Sequence, residues 1–258
     1  MDYNNTPSFY NNEEFFNKYL GNTSYYLGLQ NVVMKLIRLI APGNVLEFGS
    51  ALGTTTIKMA KEFPGISFEG VDLRPDIVEK ANDAAKDIGN VYFLTGDMND
   101  TSSFPIGKYD LIYLLYSFHH IEDPVEKKVE FMHSCYECMK PGAYLLIVET
   151  FLPENAKELK NDDEILRLWR QRSLEGYAST YWEALETLSA EGIELAKCAA
   201  SISQKEEYEA GYHVFRREDE YLIKFSWLEE TARSCGFEIV ISEPVNCIEE
   251  KAILLRKK

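Results

Sequence analysis

Apolar residues in the stretch SYYLGLQNVVMKLIRLI, residues 24 to 40, recur at helical spacing. Leu29, Val32, Val33, Leu36, Ile37 and Ile40 share one face. Ser24 is placed to cap this helix and Pro42-Gly43 to stop it, and a shorter helix is predicted over 13–20. From residue 44 the pattern changes. Short apolar runs, NVLEFG, ISFEGVDL, NVYFLTGD, YDLIYLLYSF and AYLLIVETF, alternate with amphipathic segments over 54–62, 75–88 and 124–139. Strands without polar alternation, separated by helices, imply a parallel sheet covered on both faces. The alternation stops after Thr150, and 151–225 reads as a helical insertion dotted with Trp and Tyr. A last helix is predicted from Ser226, its expected cap, to Cys235-Gly236, followed by strands FEIVISEP and KAILLRK. The link PVNCIEE suits a hairpin better than a parallel crossover, so the seventh strand is expected to run antiparallel.

Ligands of open parallel sheets bind beyond the carboxyl ends of the strands, where strand order reverses. The first such loop, EFGSALGT, carries Gly49 and Gly53, which permit a tight turn and close backbone approach to a ligand. The helix behind it starts at Thr54 and points backbone N–H groups forward. Alone, this loop could equally be a strand–helix turn without a ligand. The second loop, VDLRPD, ends its strand with Asp72, a carboxylate suited to the two hydroxyls of a ribose. The third, TGDMND, sets Asp97 to accept from an adenine amino group and Met98 to lie against the ring. Either acid alone could be a solvated loop residue; together, each at a strand end, they describe a nucleoside pocket.

This series resembles the class I S-adenosylmethionine-dependent methyltransferases. The likeness rests on E-x-G-x-A-x-G, an acid after strand two, GD after strand three and K-P-G before strand five, from about Val45 to Thr150. Ala51 departs from it, standing where that superfamily often has Gly. The resemblance implies a Rossmann-like α/β fold: a seven-stranded sheet, mostly parallel with the last strand antiparallel, helices on both faces. An N-terminal helical lid would span 1–41, the cofactor domain 42–150 and 226–258, and a substrate cap the insertion. The implied cofactor is S-adenosyl-L-methionine, leaving as S-adenosyl-L-homocysteine. Glu47 and Gly49 would hold its methionine amino group, with Ala51, Gly53 and Thr54 completing the loop. Asp72 and Leu73 would meet the ribose and its surroundings, Asp97 and Met98 the adenine, and Tyr116 the methionine end. A nicotinamide dehydrogenase would need G-x-G-x-x-G, and GSALGT lacks two of those glycines.

The fourth strand ends in LLYSFHHIEDP rather than an N/D-P-P-Y/F of the kind that orients amines in nucleic-acid and protein methyltransferases. The FHHI run is similar to the small-molecule branch that includes ubiquinone- and menaquinone-type enzymes. His119 and His120 are the candidate general bases, with Tyr116 beside them as a third catalytic candidate. In an extended chain only one of two adjacent histidines would face substrate, and either could simply pack the loop and cap the next helix. Tyr25, Tyr26 and Gln30 of the lid and Trp182, Tyr212 and His213 of the insertion are candidate substrate contacts, apolar walls with directed polar groups. The bland reading of these aromatics is insert core or a homodimer contact.

The net charge of −15 opposes a phosphate backbone, so a small metabolite or natural-product intermediate is the expected acceptor and nucleic acid is not expected. A tRNA base, a protein side chain, an altered form of the cofactor and a non-catalytic S-adenosylmethionine-binding subunit remain as alternatives. Five cysteines include one CxxC, Cys135 and Cys138, without a second pair, so core thiols are expected rather than a metal site. The polar, acidic start MDYNNTPSFYNNEEFF lacks the basic and apolar segments of a leader, and no run is apolar enough to span a membrane. A cytoplasmic protein without a membrane partner is the expectation.

Overall fold

The computed structural model describes residues 24–122, 125–151, 221–244 and 250–258. Backbone contacts divide the chain into two compact units, Met1–Val33 with Asn161–Arg217, and Met34–Lys160 with Glu218–Lys258. Helix α1 (Ser24–Ile40) runs from the first into the second. It buries Leu29, Val33, Leu36 and Ile37, while Val32, on the same face by spacing, is 40% exposed. The helix ends on Ala41, not on glycine. Ala41 takes a φ of +50° and returns its N–H to Ile37 O at 2.8 Å, and Pro42 prevents continuation.

The second unit then builds β1 (Asn44–Phe48), α2 (Thr54–Glu62), β2 (Ser67–Asp72), α3 (Pro75–Ala85), β3 (Val91–Thr95), β4 (Tyr109–Leu115), α4 (Glu126–Cys138), β5 (Met139–Thr150), α5 (Phe225–Ser234), β6 (Phe237–Pro244) and β7 (Glu250–Lys257). These form one seven-stranded sheet in the order β3-β2-β1-β4-β5-β7-β6. The first five strands pair in parallel, and β7 runs antiparallel to both β5 and β6, as the short link between the last two strands predicts. Two predicted details differ. Lys224, not Ser226, is the N-cap of α5, without a side-chain bond, and Ser226 lies inside the first turn. The K-P-G motif lies within β5, where the register against β4 shifts between Tyr109 and Leu111 and Gly142 takes a φ of +77°.

On one sheet face Leu46, Phe48, Ile112, Leu114, Leu145 and Ile147 pack with Phe131, Met132 and Cys135 of α4 and Leu228 and Ala232 of α5. Cys135, Cys138 and Cys235 are free and buried, as expected of core thiols. Burial pushes the Cys138 thiol up to about 12, so it is inert as a nucleophile. On the other face Phe93 of β3 fills the space over Gly70 and Gly53: a Cβ on either glycine would come within 2.3 Å of its ring. Asn82 of α3 holds that edge strand by both amide atoms, accepting from Phe93 N and donating to Phe93 O, each at 2.9 Å. Asn90 Nδ2 ties the turn from α2 to β2, donating to Ala60 O, Phe63 O and Ile66 O at 2.8–3.1 Å.

The Phe93–glycine fit yields a stability prediction. Gly70→Ala overpacks the site and is expected to cost about 1–3 kcal/mol in urea unfolding. Phe93→Leu in that background makes room for the methyl group and should recover part of the loss; no recovery would show that Phe93 is not the obstacle.

Candidate functional site

Strand order turns back on either side of β1, with β2 on one side and β4 on the other, so the loops leaving these strands converge. The turn after β1 is fastened to β2. Gly49 N and Ser50 N both donate to Val71 O, at 2.8 and 3.0 Å, and Gly53 N donates to Ser50 O at 2.8 Å. Gly49, Ala51 and Gly53 take φ values of +70°, +45° and +73°. The protein's own side chains already require the two glycines. A Cβ on Gly49 would lie 2.3 Å from Ser117 Cβ, and one on Gly53 would lie 2.3 Å from the Phe93 ring. Ala51 accepts the left-handed conformation at a steric cost that glycine would not incur. Thr54 opens α2 behind Gly53, and no side chain caps that end. Ser50 Oγ and Thr55 Oγ1 are buried in and behind this turn without a hydrogen-bond partner among the described residues.

Asp72, at the end of β2, holds the turn from the other side. Its Oδ2 accepts from Ala51 N at 2.8 Å and its Oδ1 from Arg74 N at 3.1 Å. Burial pushes its pKa up, against the pull of those two N–H groups. Each oxygen keeps a lone pair, the capacity that two ribose hydroxyls require. Leu73 beside it is an apolar side chain 36% exposed. Past β3, Asp97 Oδ1 accepts from Asn99 N and Asn99 Nδ2, at 2.8 and 3.0 Å, and Oδ2 has no protein partner among the described residues. Asn99 Oδ1 accepts from Glu122 N at 2.9 Å, which links this loop to the one after β4. Met98 is half-buried against the core. The residues present therefore fit an adenosine group, with paired hydroxyl acceptors, an amino acceptor and apolar cover.

Glu47 lies under the start of α2. Its Oε2 accepts from Thr56 Oγ1 and, at 3.2 Å, from Tyr113 OH. Burial, opposed by those hydroxyl donors and reinforced by the charge of Asp72, pushes its carboxyl up from the ordinary 4.5 to about 8.

After β4 the chain bends sharply. Tyr116 has a φ of +54°, and its N–H donates to Val148 O at 2.9 Å. Ser117 Oγ donates to Phe48 O at 2.8 Å, which sets this turn against Gly49. Residues 118–120 form a 3-10 turn rather than extended chain. The two imidazoles come together, with His119 Nε2 and His120 Nε2 3.2 Å apart. His119 Nδ1 lies 2.8 Å from Oε1 of Glu149, a β5 residue that the sequence reading did not single out. The available signal was an acid ending an otherwise apolar strand, IVET. Glu122 pairs with Lys127 at 2.8 Å. Among the described residues no group of three His, Cys, Asp or Glu side chains could hold a metal ion. Gln30 is buried in α1. The side chains of Tyr25 and Tyr26, and all of Trp182, Tyr212 and His213, lie outside the described residues.

The raised Glu47 carboxyl has a consequence for stability. Unfolded, it titrates near 4.5; folded, near 8. Its stabilising contribution is complete below the unfolded value and is lost as pH rises through about 8. Glu47→Gln is therefore expected to gain roughly 4 kcal/mol over wild type at pH 9 relative to the same comparison at pH 5. Urea titrations at the two pH values check this; an equal difference at both would refute it.

Residues 25–188 match the family model described as a methyltransferase domain. A tRNA (guanine-N(7)-)-methyltransferase from Mycoplasmopsis pulmonis is 28% identical over 150 residues, 57% of this chain and 69% of that one. A malonyl-[acyl-carrier protein] O-methyltransferase from Halalkalibacterium halodurans is 27% identical over 158 residues, 58% of this chain; the match spans 56% of that relative's length. A solved SAM dependent methyltransferase from Aquifex aeolicus shares the fold, with a TM-score of 0.55 at 15% identity over 92% of this chain and 95% of that one. Because the family model covers more than half of the chain, the protein belongs to the methyltransferase domain family and is an S-adenosylmethionine-dependent methyltransferase.

Proposed function

We propose that this enzyme transfers the methyl group to a small metabolite or natural-product intermediate by in-line displacement. The observation that carries the small-molecule reading is the net charge of −15, which repels a polyanionic acceptor. Asp72 and Leu73 meet the ribose and its surroundings, Asp97 and Met98 the adenine, and the 49–54 turn with Glu47 the methionine end. Tyr116 lies alongside that end. His119 and His120 act on the acceptor, and Tyr25, Tyr26, Gln30, Trp182, Tyr212 and His213 contribute to its pocket. When bound, S-adenosylmethionine supplies a methyl group already activated by its sulfonium, so the chain's own task is to position the acceptor, exclude water and hold its proton. Positioning of this kind is worth about 7–11 kcal/mol in favourable systems. The compartment proposed is the cytoplasm; no described helix is long and apolar enough to cross a membrane.

A tRNA base is the second reading, favoured by the likeness to tRNA (guanine-N(7)-)-methyltransferases. The relative acting on malonyl-[acyl-carrier protein] adds a carboxylate held on a carrier to the acceptor classes.

Calorimetric titration of wild-type and Asp72→Ala protein with S-adenosylmethionine, S-adenosylhomocysteine and NADH tests the cofactor site. Wild type is expected to bind the adenosyl ligands and not NADH. The variant loses two charge-assisted hydrogen bonds, each worth roughly 1.5–3 kcal/mol, and binds correspondingly more weakly; unchanged affinity in folded protein would remove Asp72 from the site. Incubation of methyl-labelled cofactor with a low-molecular-weight metabolite fraction and with unmodified tRNA tests the acceptor. Label in the small-molecule fraction is expected, and label in tRNA would overturn this reading.

A further inference from the structure

We propose that Asn99 sets the preference of the cofactor pocket for adenine, by holding one oxygen of Asp97 and the backbone after β4 together so that the other oxygen is reserved for the exocyclic amino group. This role rests on the assignment of Asp97 to the adenine and deepens it by naming the residue that positions the acid.

Asp97 lies on a segment pinned at both ends. At its start Gly96 N donates to Asp72 O at 3.0 Å, which seats the segment beside the acid assigned to the ribose. At its far end Phe104 stacks on Phe48 of β1, with ring centres 5.0 Å apart, and meets Phe131 of α4 edge-on. Between these points Asp100 closes a turn of its own, its Oδ1 accepting from Ser102 N at 3.2 Å and from Ser102 Oγ at 2.6 Å. What remains to be fixed at Asp97 is the direction of its carboxylate.

Asn99 fixes it. Asp97 Oδ1 accepts from Asn99 N at 2.8 Å and from Asn99 Nδ2 at 3.0 Å. Asn99 Oδ1 accepts in turn from Glu122 N at 2.9 Å. A backbone N–H can only donate, so the Asn99 carbonyl must face Glu122 and its NH2 group must face Asp97. The orientation of the amide therefore follows from its partners. Two strands, β2 and β1, separate β3 from β4 in the sheet. At about 4.8 Å per strand, β3 and β4 lie about 14 Å apart, yet the loops leaving them meet through this one side chain.

The result is a carboxylate with unequal oxygens. Oδ1 has two donors, and Oδ2 has no protein partner among the described residues. The neighbouring cations are engaged elsewhere. The charge of Lys127 reaches Asp97, but its Nζ is held by Glu122 at 2.8 Å. Arg74, beyond Asp72, is paired with Asp76 at 2.7 Å. A carboxylate oxygen so placed takes a donor and gains nothing from a C–H edge. Adenine brings a donor, its amino group. Hydrogen bonds weaken steeply as their angle closes, so a carboxylate held in one orientation distinguishes bases better than one that turns.

The test uses the full chain and two ligands, S-adenosylhomocysteine and its analogue with hydrogen in place of the adenine amino group, each titrated calorimetrically. Wild type is expected to prefer the amino-bearing ligand by about 10-fold or more. Asp97→Asn should abolish that preference. Asn99→Ala keeps the backbone bond to Asp97 and loses both side-chain bonds; it should reduce the preference about 3- to 10-fold. Asn99→Asp keeps an acceptor for Glu122 N, loses the donor to Asp97 and sets a like charge beside it. It should reduce the preference at least as far, and it decides the matter if the alanine variant does not fold. Affinity for the deamino ligand should stay close to wild type in both. Equal weakening of the two ligands would leave Asn99 a purely structural role, and an unchanged preference would leave it none. Either result overturns the inference, while loss of the preference in Asp97→Asn would keep the adenine assignment standing. A wild type that binds both ligands alike, or a preference retained in Asp97→Asn, would remove Asp97 from the adenine, and the role of Asn99 would fall with that reading.

Discussion

The carbonyl of Val71 accepts two N–H groups, from Gly49 and Ser50, and most of the site depends on that fastening. It closes the turn after β1 onto the end of β2. Asp72, the next residue, then reaches Ala51 N from the side. The turn can lie this close only because two of its residues lack a side chain where Ser117 and Phe93 already stand. The loops after β1, β2 and β4 are therefore one packed unit, and Asp72 is held at a strand end rather than on a free loop. Positioning of this kind is what a reaction with an already activated methyl group needs most.

The sheet buries two glutamates at its carboxyl edge, and they are handled differently. Phe48, Leu114 and Ile147 share one face by register, and Glu149 follows Ile147 on it; Glu47 and Tyr113 share the other. Glu47 has hydroxyl partners, Thr56 and Tyr113, which donate but carry no charge. Its carboxyl is accordingly pushed up to about 8, and a cation arriving nearby would favour its ionisation. Glu149 has an imidazole, a partner that can itself take up a proton. The two acids thus lie on opposite faces of the sheet.

The likeness to enzymes that methylate a tRNA base and a carrier-bound malonyl group shows how little the shared fold restricts the acceptor. The strand ends are common to the architecture, whereas side chains on the turn after β4 and at the end of β5 can change without disturbing the sheet.

Most of the fold was legible from local pattern. Alternating apolar runs and amphipathic segments locate all seven strands, and the short link after β6 implies the antiparallel β7, because these are consequences of period and loop length. Asp72, Asp97 and the glycines of the first turn were legible as well, since each stands at a strand end or a left-handed turn that its residue type suits. The ends of the helices were less so: Lys224 rather than Ser226 is the N-cap of α5, with an extended backbone and no side-chain bond to the first turn. What the sequence could not contain was distance across the sheet. Phe93 over Gly53 and Gly70, 40 and 23 residues away, and Glu149 against His119, 30 residues away, arise from register between strands. The meeting of His119 with His120 required a 3-10 turn where extended chain was expected. Sequence alone determined which residues end the strands and hence that a nucleoside-like group binds; tertiary packing decided which of those residues touch, because hydrogen bonds depend on contacts of about 3 Å that no one-dimensional spacing encodes.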